Sequence, residues 1–297
     1  MTAIKLGVHC GQQDIELDEL RALWRKVDAY GFDLVTCWDH FYESPPRDGQ
    51  GIAYESLALL SAMALETQNI RIGCYVFGMG YRNPAILAKA LTTIDHLSHG
   101  RLTVGLGAGW HIPEHTGYNI PLPSAKERLD KLSEGARIIR RMFTQESTTF
   151  RGKHFQVENA RNIPQPVQPR IPIIIGGGGE GRTLQIAALH GDGSNITYPT
   201  PETFKHKMDV LTEWCEKSDR DPASIDRSVQ LHYVMSSKGA DPGPQRDIGI
   251  WGEPQQIIDR LGMYVDGGAQ GINVAVRPPV DYEALQSYAE DVMPAFR

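Results

Sequence analysis

Four consecutive glycines, Gly176, Gly177, Gly178 and Gly179, separate an apolar run over residues 171–175 from a helical pattern over residues 182–190. A strand that ends in glycines and opens into a helix presents bare backbone N–H groups and the positive end of a helix dipole, which together make a phosphate cradle. A plain turn needs one or two glycines, not four. A second cluster is Asp39 and His40, adjacent at the end of another apolar run. A carboxylate beside an imidazole can transfer protons or hydrogen-bond a polar heterocycle; the alternative is a solvated loop start. Gly107 and Gly109, on either side of Ala108, would let backbone approach a flat ligand, although a strand-to-loop turn accounts for them as well.

Two metal patterns compete with these. His111, Glu114 and His115 spell HxxEH, the order of an inverted zinc-protease helix. Gly109, Pro113 and Gly117 bracket a window too short and broken for a continuous helix, so Glu114 and His115 are expected to order a loop instead. His9, Cys10, Cys37, Asp39, His40 and Cys74 form the other candidate set. Amidohydrolase-like barrels open with HxH, whereas His9 is followed by Cys10 and Gly11, and the cysteines read as small apolar fillers. No metal is therefore expected, and a metal-dependent barrel hydrolase is the distant alternative.

The elements that must position these residues alternate along the chain. Strand-like runs are expected over residues 4–9, 34–38, 70–76, 102–106, 173–175, 194–197, 229–235 and 271–276. Helices are expected over 18–30, 54–67, 84–98, 124–143, 182–190, 201–217, 254–266 and 282–293, several with start signals such as Asn83 before Pro84, or Ser124 with Glu127 three residues on. Eight βα units without a linker-like tract predict an α/β fold, a single (β/α)8 TIM barrel spanning residues 1–297, over a doubly wound open sheet. Residues 148–157 break the alternation and read as a small β-hairpin insertion before the fifth strand. In such a barrel the chemistry belongs where strands end and βα loops begin, which is where the residues above fall.

Composition narrows the function classes. With 297 residues, 41% of them hydrophobic and 22% charged, the chain reads as globular, and no apolar stretch approaches the ~20 residues of a membrane helix. The first residues run directly into a strand-like segment, so a cytoplasmic protein is expected. A net charge of −6 with scattered Lys and Arg argues against nucleic acid, and four cysteines without a CxxC pair indicate neither a zinc ribbon nor a disulfide scaffold.

Together the segments CWDHF (residues 37–41), IRIGCYVFGMGYRNP (70–84), HGRLTVGLGAGW (99–110), IPIIIGGGGEGRTLQIAALHGDGSN (171–195) and WGEPQQIIDRL (251–261) resemble the luciferase-like flavin and deazaflavin oxidoreductases. The resemblance covers nearly the whole chain in order. It implies a (β/α)8 barrel, a homodimer by default, that binds coenzyme F420 or flavin mononucleotide (FMN) in its mouth together with a small-molecule substrate. Gly177, Gly178 and Gly179 would hold the cofactor phosphate. Asp39 and His40 match the pair placed near the reactive ring in the deazaflavin branch, and the WDH form favours F420 over FMN. Tyr75 and Val76 fall where that branch often has a non-proline cis peptide behind the ring, and Asn195 lies at the end of strand six. The expected function is hydride transfer between F420 and a small organic substrate, with an FMN-dependent monooxygenase as the alternative. Sugar-phosphate dehydrogenases of the family carry a catalytic glutamate directly after the glycine-x-glycine of strand four, where this chain has Trp110, so sugar-phosphate oxidation is disfavoured. Tyr42, Phe77 and Trp110 are expected to line a pocket for a large apolar or aromatic substrate, or else to form barrel rim.

Overall fold

The computed structural model describes residues 3–43, 49–233, 243 and 247–297. In chain order its strands are β1 (Lys5–Cys10), β2 (Leu34–Cys37), β3 (Arg71–Gly78), β4 (Leu102–Gly107), β5 (Ser147–Arg151), β6 (Gln156–Arg161), β7 (Ile173–Gly176), β8 (Gly193–Thr197), β9 (Asp226–Tyr233), β10 (Gly249–Ile250) and β11 (Gly271–Val276). The parallel order β9-β11-β1-β2-β3-β4-β7-β8 closes on itself through β8 and β9, giving the expected eight-stranded barrel. Pairing starts from matched registers such as Lys5 with Gly271 and Leu34 with Arg71, so the carboxyl ends of all eight strands share one face. β5 and β6 form the antiparallel hairpin, which starts one residue before and ends four residues after the span that the sequence pattern marks. Of the seventh expected strand, residues 234 and 235 lie outside the described residues; its start is Asp226, three positions before the apolar run, because β8 pairs with it from there.

The helices form for readable reasons. α1 (Leu17–Ala29), α2 (Ser56–Glu66) and α3 (Pro84–Leu97) follow the first three barrel strands, and the Asn83 side chain caps α3 by accepting from the Ala85 and Ile86 amides, with Pro84 in the first turn. After β4 comes α4 (Ile112–Gly117), where the sequence predicts a broken loop. Pro113 sits in its first turn, where a missing N–H costs nothing. α5 (Ala125–Thr144) buries Leu132, Ala136, Ile139 and Phe143, a stripe at helical spacing that faces the barrel. α6 (Thr183–His190), α7 (Pro201–Glu216), α8 (Pro254–Asp266) and α9 (Tyr282–Ser287) complete the ring, α9 running on as a wider turn and then a tighter one to Phe296. Strands such as β4, buried along its whole length, show why these runs are continuously apolar rather than alternating: barrel interior and helix layer both exclude water.

Candidate active site at the carboxyl end of the barrel

A cleft of about 520 Å³ opens at the carboxyl ends of the strands. It is lined by Trp38, Asp39 and His40 after β2, Tyr75 and Val76 in β3, Gly107 to Trp110 after β4, Gly176 and Gly177 after β7, and Asn195 in β8. Most of the residues singled out from the sequence therefore meet in one place.

Asp39 is buried and both its oxygens are engaged. Oδ1 accepts from the Ser56 hydroxyl at 2.6 Å, and Oδ2 accepts from the Gly78 amide at 2.9 Å and from Arg82 at 2.7 Å. Arg82 also reaches Glu55 at 2.5 Å. One carboxylate thus ties the end of β2 to the first residue of α2 and the end of β3, and Arg82 neutralises it.

His40 is built differently. Its Nδ1 lies 3.0 Å from one oxygen of Glu114 and 3.1 Å from the other. Glu114 is fully buried on α4 and also accepts from the Phe41 amide at 2.7 Å, the Tyr42 amide at 3.0 Å and the Tyr81 hydroxyl at 2.5 Å. Burial alone would raise its pKa, but the bonds from His40, Tyr81 and the Tyr42 amide outweigh that and hold it down at about 2. The same carboxylate, after burial itself, pushes the Tyr81 hydroxyl well up, so that group stays a donor. An ionised carboxylate can only accept, so the proton of the His40 ring resides on Nδ1 and the lone pair on Nε2 is left for the cleft. Trp38, Trp110 and His111 meet the ring edge-on at 6.0, 5.6 and 5.5 Å between centroids.

Glycines shape the opposite wall. The Tyr75–Val76 peptide is cis, as the resemblance implies, and Val76 projects into a notch between β4 and β7. A Cβ on Gly107 would lie 2.4 Å from Val76 Cγ2, and one on Gly176 2.6 Å from Cγ1, so no larger residue fits while Val76 holds its place. Beyond it, Gly177 adopts φ +114°, and its amide donates to the Asn195 carbonyl at 3.0 Å, turning the chain toward α6. Asn195 is buried, and its side-chain amide donates to the Ser228 hydroxyl at 3.0 Å. A Cβ on Gly179 would stand 2.8 Å from Thr183 Oγ1, whereas Gly178 faces no atom closer than 3.7 Å. An open run of amides ahead of α6, with Thr183 beside it, fits a phosphate group.

Some expectations are corrected. Phe77 is fully buried and does not line the cleft, whereas its neighbours Tyr75 and Val76 both do, across the cis peptide and the register shift that interrupt regular alternation in β3. Tyr42 packs against Tyr118 and the glycines at 49 and 117 and is also outside the cleft lining. Trp110 remains, 56% exposed at the mouth. Of the HxxEH residues, α4 turns His111 and Glu114 toward His40, so that ligand atoms of these three lie within 4.8 Å of one another, while His115 bonds the Ile120 carbonyl at 3.2 Å. The sequence pattern contains two members of this cluster, His111 and Glu114, which stand 3.4 Å apart, but not the third, because His40 arrives from another loop. Sequence reasoning also missed Tyr198, Gln230 and Arg277 in the lining. Arg277 lies over the Trp38 ring at 5.6 Å and pairs with no carboxylate among the described residues. Its position at the end of the last barrel strand was the available signal. Arg182, by contrast, pairs with Asp130 at 2.7 Å.

The model of the luciferase-like monooxygenase family matches residues 1–241. The chain belongs to this family. Among relatives of this luciferase-like chain is an F420-dependent glucose-6-phosphate dehydrogenase of Gordonia bronchialis, 30% identical, over 82% of this chain and 70% of the relative. Solved structures with the same fold include an F420-dependent secondary alcohol dehydrogenase in complex with an F420-acetone adduct, at 18% identity, TM-score 0.88 and full coverage of both chains. The coenzyme F420 dependent tetrahydromethanopterin reductase from Methanopyrus kandleri follows at 17% identity and TM-score 0.86, again covering both chains fully. At these identities the two structures speak for the barrel shared across the luciferase-like family.

Proposed function

We propose that this chain is an F420-dependent oxidoreductase that moves a hydride between the deazaflavin and a small organic substrate at the mouth of the barrel. The observation that carries the reading is the His40–Glu114 pair standing opposite a glycine-framed notch within one cleft, whose wall leads through Gly177 to the amides ahead of α6. The naming of the sequence relatives as F420-dependent dehydrogenases supports the choice of cofactor. When bound, the deazaflavin supplies the hydride chemistry. Everything else falls to the protein.

Gly178 and Gly179, just past the cleft lining, would offer backbone N–H groups to the cofactor phosphate, while the Gly177 amide is held by the Asn195 carbonyl and shapes the turn; Val76, Gly176, Gly107, Ala108, Gly109 and Asn195 would border the space for the ring. His40 is the catalytic residue: Nε2 takes the proton from a substrate hydroxyl, or returns it to a carbonyl oxygen in the reverse direction, while Glu114 fixes the ring and stabilises its charged form. Asp39, with both oxygens engaged by Ser56, Gly78 and Arg82, is a positioning residue that holds the loop bearing His40. Trp38, Trp110 and Tyr81 shield the cleft from water and suit a substrate with an apolar body. Trp110, where the family's sugar-phosphate dehydrogenases carry a glutamate, disfavours sugar-phosphate oxidation.

The reading extends to one domain over residues 1–297, on the alternation of strands and helices, to a homodimer, on the family resemblance, and to a cytoplasmic location; among the described residues no helix is long and apolar enough to cross a membrane. An anaerobic assay with F420 and a panel of secondary alcohols and reducible carbonyls tests the function. The expected result is a change in F420 absorbance that depends on the substrate and not on oxygen. Turnover only with FMN and oxygen would replace this reading with a monooxygenase.

A further inference from the structure

The opposite, amino-terminal end of the barrel holds a second cavity, of about 450 Å³, that the hydride-transfer reading does not use. Its size is that of a small-molecule pocket. Leu34, Pro172 and Ile174 give it apolar walls. Three polar groups that line it keep donor capacity to spare. Arg71 donates from Nε to the Thr103 hydroxyl at 3.0 Å and from Nη2 to the Leu102 carbonyl and the Gln168 side chain, but Nη1 has no hydrogen bond and no carboxylate pairs with the guanidinium among the described residues. The Tyr75 hydroxyl makes no hydrogen bond among the described residues, and Tyr75 lines both this cavity and the upper cleft. Asn273 is 4% exposed, and its side-chain amide, lying over Gly7, makes no hydrogen bond among the described residues.

The acidic groups around the same cavity are already engaged. Asp28 accepts from the amides of Gln68, Asn69 and Ile70, Asp33 from the Leu6 amide and Arg297, and Asp226 from Lys5 at 3.0 Å. What remains inside is a set of donors, one of them a guanidinium whose burial the nearby charge of Asp95 offsets only in part. A guanidinium, a phenol and an amide around an apolar chamber match a carboxylate attached to an apolar body. We propose that this cavity is a second binding site, for a small organic acid whose carboxylate is held by Arg71, the Tyr75 hydroxyl and the Asn273 amide. Because Tyr75 also lines the upper cleft, the bound acid touches a residue that borders the hydride-transfer site.

The inference is independent of the cofactor assignment, and binding alone tests it. Benzoate is titrated calorimetrically into the full chain, with benzamide as the uncharged control. Saturable one-to-one binding of benzoate is expected, at least tenfold tighter than benzamide, at least tenfold weaker in Arg71→Met and in Asn273→Ala, and unchanged in Trp110→Ala at the upper cleft. Should Arg71→Met fail to fold, Asn273→Ala and Tyr75→Phe decide the matter. Absence of saturable binding, equal affinity for benzamide, or a loss confined to Trp110→Ala would each overturn the site.

Discussion

At the scale of single residues, the account rests on the imidazole of His40 being oriented by one buried carboxylate. His40→Ala is expected to lower kcat by about 10²–10⁴-fold while F420 affinity, read by fluorescence, changes less than threefold. Glu114→Gln keeps the shape but removes the charge that fixes the Nδ1 proton, so kcat should fall at least tenfold with KM little altered. Glu114 also carries a pH signature. Its pKa is about 2 in the folded chain against an ordinary 4.5, so its contribution to stability is complete above about pH 4.5 and is lost as pH falls toward 2. That contribution is on the order of 3 kcal/mol, and the acid limb of a melting-temperature profile should be flatter in Glu114→Gln than in the wild type. His40 was legible in the sequence because it follows an apolar strand beside Asp39. Glu114 was not: its hydrogen-bond partners His40, Phe41, Tyr42 and Tyr81 come from two other loops, and adjacency in sequence offered only His111, which does lie beside it, and His115, which does not join the cluster.

At the scale of elements, the site is held by contacts between neighbouring strands. Gly176→Ala should push Val76 out of its notch, cost about 1–3 kcal/mol of stability by overpacking, and weaken cofactor binding; Val76→Ala in the same chain should restore much of both, read by thermal melting and fluorescence titration. Arg82 joins the ends of β2 and β3 to α2 through the buried Asp39, and Arg82→Met, by stranding that carboxylate, should destabilise the protein by about 3–5 kcal/mol in chemical denaturation. Between β1 and β2, buried His9 bonds the Thr36 hydroxyl at 2.8 Å through Nδ1. Burial first, with the charge of Arg277 adding, pushes its pKa down to about 3 from 6.5. The unfolded chain therefore takes up a proton below about pH 6.5 that the folded one refuses until about pH 3. Stability should drop over that window at up to about 1.4 kcal/mol per pH unit, a slope that His9→Gln removes. Strand order and helix starts were legible because burial on both faces makes β runs continuous and because Asn83, Pro84 and Ser124 mark helix starts. The helix α4 was hidden by a proline that is harmful within a helix and harmless in its first turn.

At the scale of the whole molecule, eight parallel strands send every βα loop to one end, so residues from 38 to 277 converge on a single cleft although the chain separates them widely. That convergence made the barrel and the position of the site readable from alternation alone, once the glycine run and the Asp39–His40 pair were assigned to strand ends. It could not reveal which side chains turn inward: Phe77 and Val76 are adjacent, and only the path of β3 decides between core and cleft. Nor could it reveal Arg277, whose meaning depends on standing over Trp38 across the barrel mouth. The opposite end gathers its own polar residues by the same geometry, which is why a second cavity arises there without any motif. Trp38 and Trp110 line the upper cleft and make its occupancy directly observable. Titration of the purified protein with F420 and, separately, with FMN, following tryptophan fluorescence, is the most direct test of the central claim. Saturable quenching by F420 at least tenfold tighter than by FMN is the predicted result, and tighter binding of FMN, or binding of neither, would contradict it.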